Sequence, residues 1–533
     1  MNSSIDLVGH WPLAGHGKEI SGAGLPGIVR SVTFDAEGPD GCPGTAARFD
    51  GSQSGIEVAP HPRLNFGTGD FSIALWVHTE ERMGDVVGNL VECYDPETRR
   101  GFHFSVVSHP GATSSVANDR NLHFGIDAGM VSPQWQDCGR PGNAVFVRAL
   151  TTFAGDLYAA TCEPGAGEAG HVYRYTGEKR WEDCGSPSAC NSVSCLAEYD
   201  GQLYCGVARY KLSGSCLPDS PNKNPGGAVY RYIGGREWVE CGQLDQGDGV
   251  HCICAFGGKL YATPTYEHQV LEYQGGCNWR PIGPDARVMA MGYWNGHLYG
   301  LTSGRDSVYR YEGDCTWTDC GWPEETSQLY SFLVYQGKPH IGTWPRGEVF
   351  RYDGDRTWTL CGSPGYSREV MGMALYNGKL YAGTLPMADV YRYEGSTAWS
   401  YTGGLDRSHG YPLRRAWTMA VYRGKLYCGT LPSGVVYSLE AGRMATWDHR
   451  FPGGWHHLAA VRRSQQLEIW MDGKQVANSE AFPLEKFDLT TGRPLLIGSG
   501  QHDHFCGCLS DLRLYSRALL PEDLVNLNKE GRT

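Results

Sequence analysis

The chain has 533 residues, too many for one ordinary hydrophobic core and enough for two or three domains. Hydrophobic residues at 41% and charged residues at 20% exclude a disordered tail, and abundant glycine (73), tyrosine (30) and tryptophan (16) favour short strands joined by tight turns. With 46 basic against 58 acidic residues the net charge is −12, and no basic run breaks the pattern, which argues against nucleic acid or an anionic membrane surface as partner.

From the N-terminus, Met1 to His10 shows no basic region followed by an apolar run, so no signal peptide is read there. No stretch approaches the roughly 18–20 uninterrupted apolar residues needed to cross a bilayer. These features favour a cytoplasmic location, or an extracellular or periplasmic one if a leader lies outside this sequence. Asn121–Asp127 reads as a strand whose partner comes only after the repeats that follow.

Those repeats begin at Trp135. A unit reading Trp-x-x-Cys-Gly, an apolar run, Gly-x-Leu-Tyr and Val-Tyr-x-Tyr-x-Gly recurs with some decay, its tryptophans at 135, 181, 238, 279, 317, 358 and 399. Trp279 and Trp399 lack the Cys-Gly pair, and the fifth unit reads Gly337-Lys-Pro-His in place of Gly-x-Leu-Tyr. The second unit carries an extra polar loop, Lys211 to Asn224. In the sixth, Val370–Tyr376, Lys379–Gly383, Val390–Tyr393 and the stretch from Trp399 read as four strands. Four strands in about forty residues, repeated seven times, predict a seven-bladed β-propeller. The repeats open on a tryptophan strand and close after a third strand, Val435–Leu439, so the Trp135 strand can complete the last blade and seal the ring. Entry and exit then lie side by side, as an insertion into another domain requires. Five of the 19 cysteines (Cys138, Cys184, Cys241, Cys320 and Cys361) share one repeat position, too far apart to bridge, and read as packed thiols in a reduced compartment.

The flanks carry Gly9-His-Trp-Pro-Leu, Ala47-Arg-Phe-Asp-Gly and Gly69-Asp-Phe-Ser-Ile-Ala-Leu-Trp-Val on one side. On the other stand Gly454-Trp-His-His-Leu-Ala-Ala-Val, Leu467-Glu-Ile-Trp-Met-Asp-Gly-Lys, Pro494-Leu-Leu-Ile-Gly and the stretch from Phe505 to Leu519. In family order, these segments resemble the two halves of a laminin-G-like, concanavalin-A-like jelly roll; the repeats resemble kelch-like propellers more loosely. Neither half holds enough strands to close a sandwich alone. The expected fold is all-β, a seven-bladed β-propeller (131–444) inserted into a jelly-roll β-sandwich (1–130 and 445–533). Jelly rolls of this family often bind calcium through loop carboxylates and carbonyls, so calcium is a candidate cofactor, but no residue pattern here fixes a site and no cofactor is assigned.

Seven residues before the glycine of each Gly-x-Leu-Tyr step, or its equivalent, stand Arg148, Ser194, His251, Met289, Tyr330, Met371 and Trp417, each preceded by Val, Leu or Ala. Variation at a position next to a uniform packed one is what a site grafted onto a repeat looks like. Nearby loops add arginine, histidine and aromatic residues. Such a mouth suits an acidic glycan, with aromatic faces for sugar rings and arginines for carboxylates. Elimination beside a uronate needs a base and an acid, for which His251, His409, Tyr330 and Tyr411 are the candidates. Arg287 and Arg415 are assigned as carboxylate clamps, and Arg148, Tyr266, His268, Arg305, Trp344, Arg346, Arg368 and Trp417 as further substrate contacts.

Hydrolysis needs two carboxylates at a set distance, and Asp248, Asp285, Glu324, Glu325 and Asp406 offer no spacing that selects a pair. Gly313-Asp-Cys-Thr-Trp and Gly354-Asp-Arg-Thr-Trp resemble the end of sialidase Asp-box turns but lack the preceding Ser-x-Asp. His502-Asp-His-Phe-Cys-Gly-Cys and His456–His457 hold metal-ligand types but fit jelly-roll strand patterns, and no closed zinc spacing is present. The expected activity is binding and cleavage of an acidic oligo- or polysaccharide, elimination ahead of hydrolysis. The alternative is a non-catalytic scaffold binding a protein or glycan through the propeller face.

Overall fold

The computed structural model describes residues 6–129, 134–244 and 248–531. The chain divides into two compact units, one of residues 1–107, 120–132 and 441–533, the other of 108–119 and 133–440.

The first unit is a sandwich of an eight-stranded and a seven-stranded antiparallel sheet. Its logic shows in the strand Phe71–Thr79, where Phe71, Ile73, Leu75 and Val77 enter the core while Ala74, on the opposite face, packs with Leu524 and Leu527 of the helix Pro521–Glu530. The same strand lies between Gly454–Arg463 and Cys506–Tyr515, so distant parts of the chain share one sheet. In the other sheet Asn121–Ala128 pairs with Arg100–Val107 on one side and with Arg443–Trp447, beyond the last repeat, on the other. No helix among the described residues is long and apolar enough to cross a membrane.

The second unit holds seven four-stranded antiparallel blades, the first two linked by a bridge between Cys162 and Ser192. Their inner strands are Phe146–Phe153, Ser192–Tyr199, Val250–Phe256, Val288–Trp294, Gln328–Tyr335, Glu369–Tyr376 and Arg415–Tyr422. Each touches the next, and the seventh touches the first, which closes the ring. The outer strand of the seventh blade is Gln136–Asp137, paired with Val436–Leu439, so the start of the repeats completes their end.

The repeated tryptophan explains itself in this frame. Trp181, Trp238, Trp279, Trp317, Trp358 and Trp399 each donate their indole N–H to a backbone carbonyl of the preceding blade, at 2.7–3.0 Å. Each also packs 4.9 Å from a tyrosine of its own blade. The ring thus supplies both burial and a polar latch from blade to blade. All 19 cysteines are free thiols, the five repeat cysteines among them buried.

Candidate functional site

A β-bulge shapes the site. In every inner strand the ladder register breaks at the variable repeat position, between Val147 and Ala149, Val193 and Cys195, Val250 and Cys252, Val288 and Ala290, Leu329 and Ser331, Val370 and Met373, and Ala416 and Thr418. The preceding Val, Leu or Ala stays fully packed, while the extra residue leaves the ladder and is re-aimed. Arg148, His251, Met289, Tyr330, Met371 and Trp417 thereby line one cavity of about 470 Å³, within the range of small-molecule sites. Ser194, the seventh bulge residue, turns away and bonds the carbonyls of Val250 (2.6 Å) and Gly206 (3.0 Å).

Among the described residues, five cationic side chains face the cavity (Arg148, Arg209, Lys211, Arg287 and Arg415) against one carboxylate, Asp248. Two of the arginines are committed within the protein. Arg209 pairs with Asp248 at 2.8 Å. Arg415 contacts Glu369 at 3.4 Å and donates to Ser215 Oγ at 2.6 Å, so the expected clamp is engaged by an internal carboxylate. Arg287 stacks on Tyr266 at 5.0 Å and donates to the Thr265 carbonyl. Arg148 is the exception. It is only 4% exposed, its guanidinium lies 4.6 Å from the Tyr210 ring centre, 5.3 Å from Phe146 and 5.9 Å from Trp417, and Nε and Nη1 have no hydrogen-bond partner.

Burial, reinforced by the charges of Arg148 and Arg287, lowers the His251 pKa from 6.5 to about 3, so its imidazole is neutral. Burial beside Glu369 raises Tyr330, which stays a protonated phenol bonded to Gln328 Oε1. Burial also raises Glu369, outweighing its arginine neighbour.

The blade-two loop is part of the site, which its polar composition concealed. Leu212 and Leu217 bury themselves with Phe146, Met371 and Trp417. Ser215, between them, bonds Tyr210 at 2.7 Å as well as Arg415, two hundred residues away. Ser213 and Gly214 join the cavity wall. The pair of leucines in an otherwise polar insertion was the available signal.

Other expected contacts fall outside the cavity lining. His409, Tyr411, Arg305 and Arg368 are exposed, and Trp344 is half-buried. His268 sits 3.8 Å from the exposed Asp285, and Arg346 is paired with Glu325 and Glu348. Asp406 accepts backbone N–H groups from Ser408 and Ser433. In the first unit, His456 bonds Asp472 at 2.7 Å, His457 packs on Trp76, and His504 bonds the Ser54 carbonyl at 2.9 Å. Among the described residues no group of three or more His, Cys, Asp or Glu side chains is arranged to hold a metal ion.

Residues 440–525 match a family model for the concanavalin A-like lectin/glucanases superfamily. No curated protein sequence matches significantly. Among solved structures, virginiamycin B lyase from Staphylococcus aureus is similar at 10% identity, over 58% of this chain and 99% of that one, with a TM-score of 0.45. YCF48 bound to D1 peptide is similar at 11% identity, over 58% and 97%, with a TM-score of 0.42. The WD40 β-propeller domain of Doa1 is similar at 10%, over 58% and 97%, with a TM-score of 0.39. The propeller assignment stands on the strand pairing and ring closure described above.

Proposed function

We propose that the propeller mouth binds an acidic glycan and cleaves it by β-elimination beside a uronate carboxylate. The observation that carries this reading is Arg148. Leaving a buried charged group without its hydrogen bonds costs about 1–3 kcal/mol or more, a cost that a ligand carboxylate paired to the guanidinium would offset. Tyr210, Phe146 and Trp417 around it provide apolar faces of the kind sugar rings stack on.

Elimination suits these side chains better than hydrolysis. Among the described residues the one carboxylate facing the cavity, Asp248, is tied to Arg209, and no opposed acid pair is present among them. His251 is in the unprotonated form that accepts a proton, and a carboxylate bound at Arg148 and Arg287 would offset the two charges that weaken it as a base. It takes the proton from C5, the C5–H electron pair becomes the C4=C5 double bond, and the C4–O bond breaks. Tyr330 protonates the departing oxygen.

The test is incubation with a panel of acidic polysaccharides, following absorbance of unsaturated uronates and new reducing ends. Both signals should rise together, and Arg148→Gln should lower kcat/KM at least 100-fold, about 2.7 kcal/mol. Saturable binding without either signal would keep the ligand and remove the chemistry. Absence of binding to every acidic saccharide would overturn the reading.

A further inference from the structure

On the side of the bulges away from the cavity, a short segment fills the space between the inner strands. The segment Ser108–Asp119 folds into a small hairpin, Pro110–Ala112 against Ser115–Val116, that touches the inner strands of several blades. Its tip meets the bulge residues from below. Thr113 Oγ1 donates to the Trp417 carbonyl at 2.6 Å and Ser114 Oγ to the Ser194 carbonyl at 3.1 Å. Gly111, at φ +72, lies so close to the next layer that a Cβ there would come 2.7 Å from the Met291 carbonyl oxygen and 2.9 Å from Phe332 Cβ. Residues before the bulges, such as Gln328 and Arg415, face the cavity, while residues after them, such as Met291 and Phe332, face the hairpin.

Resting on the acidic-glycan reading, we propose that the cavity is a blind pocket that takes the terminal unit of the chain, not an internal stretch. The hairpin tip bonds the backbone of two bulge residues from the side away from the cavity, and Lys211, Ser213 and Gly214 form one wall, so the channel beyond the bulges is filled and a saccharide enters from the mouth. The chemistry then fixes which end enters. Elimination expels the oxygen on C4 of the uronate, and in a 1,4-linked chain that oxygen joins it to the preceding unit. A terminal unit able to react is therefore the reducing-end uronate, with the rest of the chain leaving through the mouth. Each turnover breaks that C4–O bond and frees a 4,5-unsaturated monosaccharide. The oxygen stays on C1 of the preceding unit, takes a proton from Tyr330 and becomes the hydroxyl of the new reducing end.

The experiment follows 1,4-linked oligogalacturonates of defined length, free or carrying a bulky aromatic tag at the reducing end. Unsaturated monosaccharide should be the first product from free chains, and tagged chains should react at least tenfold more slowly. If the protein binds without cleaving, the tag should raise the Kd at least tenfold, and monomeric galacturonate should compete for the site. A ladder of internal fragments at the earliest times, or equal behaviour of tagged and free chains, overturns the blind pocket and leaves the acidic-glycan reading standing. Absence of saturable binding by free chains, tagged chains and monomer overturns both.

Discussion

Above the bulges of the seven inner strands, two nitrogens of Arg148 lack acceptors, and among the described residues five cations face one carboxylate. Below them, the hairpin Pro110–Val116 is buried, carries no charged side chain, and is tied to the surrounding inner strands by hydrogen bonds. Thr151 Oγ1 donates to the Val116 carbonyl at 2.5 Å, Ser115 Oγ accepts from the Leu196 N–H at 2.9 Å, and Asn118 exchanges bonds with Val421 at 2.7 and 3.0 Å. A buried polar group is retained for stability only where its bonds are made. The lower half of the channel therefore reads as structure, and the upper half as a surface completed by something from outside.

The lower half tolerates substitution least at Gly111. Its left-handed backbone and the close Met291 and Phe332 contacts leave no room for a branched side chain. Gly111→Val should cost about 3 kcal/mol or more in unfolding free energy through strain and overpacking, measured by thermal or urea denaturation. A variant as stable as the parent would show that the hairpin is dispensable to the ring.

Each half also holds a histidine that burial keeps neutral, His109 in the hairpin at about 4 and His251 in the mouth at about 3, against 6.5 in the unfolded chain. Between these values and 6.5 the unfolded state binds more protons, so each group favours unfolding as pH falls through that window. The limiting slope is about 1.4 kcal/mol per pH unit for each. His251→Asn should flatten the stability profile between pH 4 and 6.5 by one such contribution. A bound anionic saccharide should raise the His251 pKa by offsetting Arg148 and Arg287 and leave His109 as it is. Parallel profiles for parent and variant would refute the neutral state assigned to His251.

Much of this architecture is legible in the sequence because it recurs. Seven tryptophans mark seven blades, and the unmatched strand around Gln136 marks the closure. The variable position is legible because it interrupts an otherwise uniform packed column. That a bulge creates it is not, since Val-x-Ala and Val-x-Cys read as ordinary alternation until the partner strand is known. The hairpin is hidden for the opposite reason, because Gly111 to Ala117 has neither repeat nor strong apolar pattern. Small side chains are what a narrow channel admits, and nothing local records that. The pairing of Arg415 with Glu369 and Ser215 depends on contacts between blades and sits beyond any local reading.

The gentlest probe of the comparison is Ser115→Ala. It removes one hydroxyl and leaves the Leu196 N–H buried without its acceptor. The expected cost is about 1–2 kcal/mol, seen as a fall of a few degrees in Tm, with saccharide affinity unchanged because Ser115 lies outside the cavity lining. Arg148→Met, a change of far greater chemical size on the other side of the bulges, should leave Tm at or above that of the parent, because it removes unmet polar groups along with the stacking on Tyr210. A loss of stability at Arg148 as large as that at Ser115 would mean that the arginine is a structural element of the ring, and the asymmetry between the two halves of the channel would no longer point to a ligand.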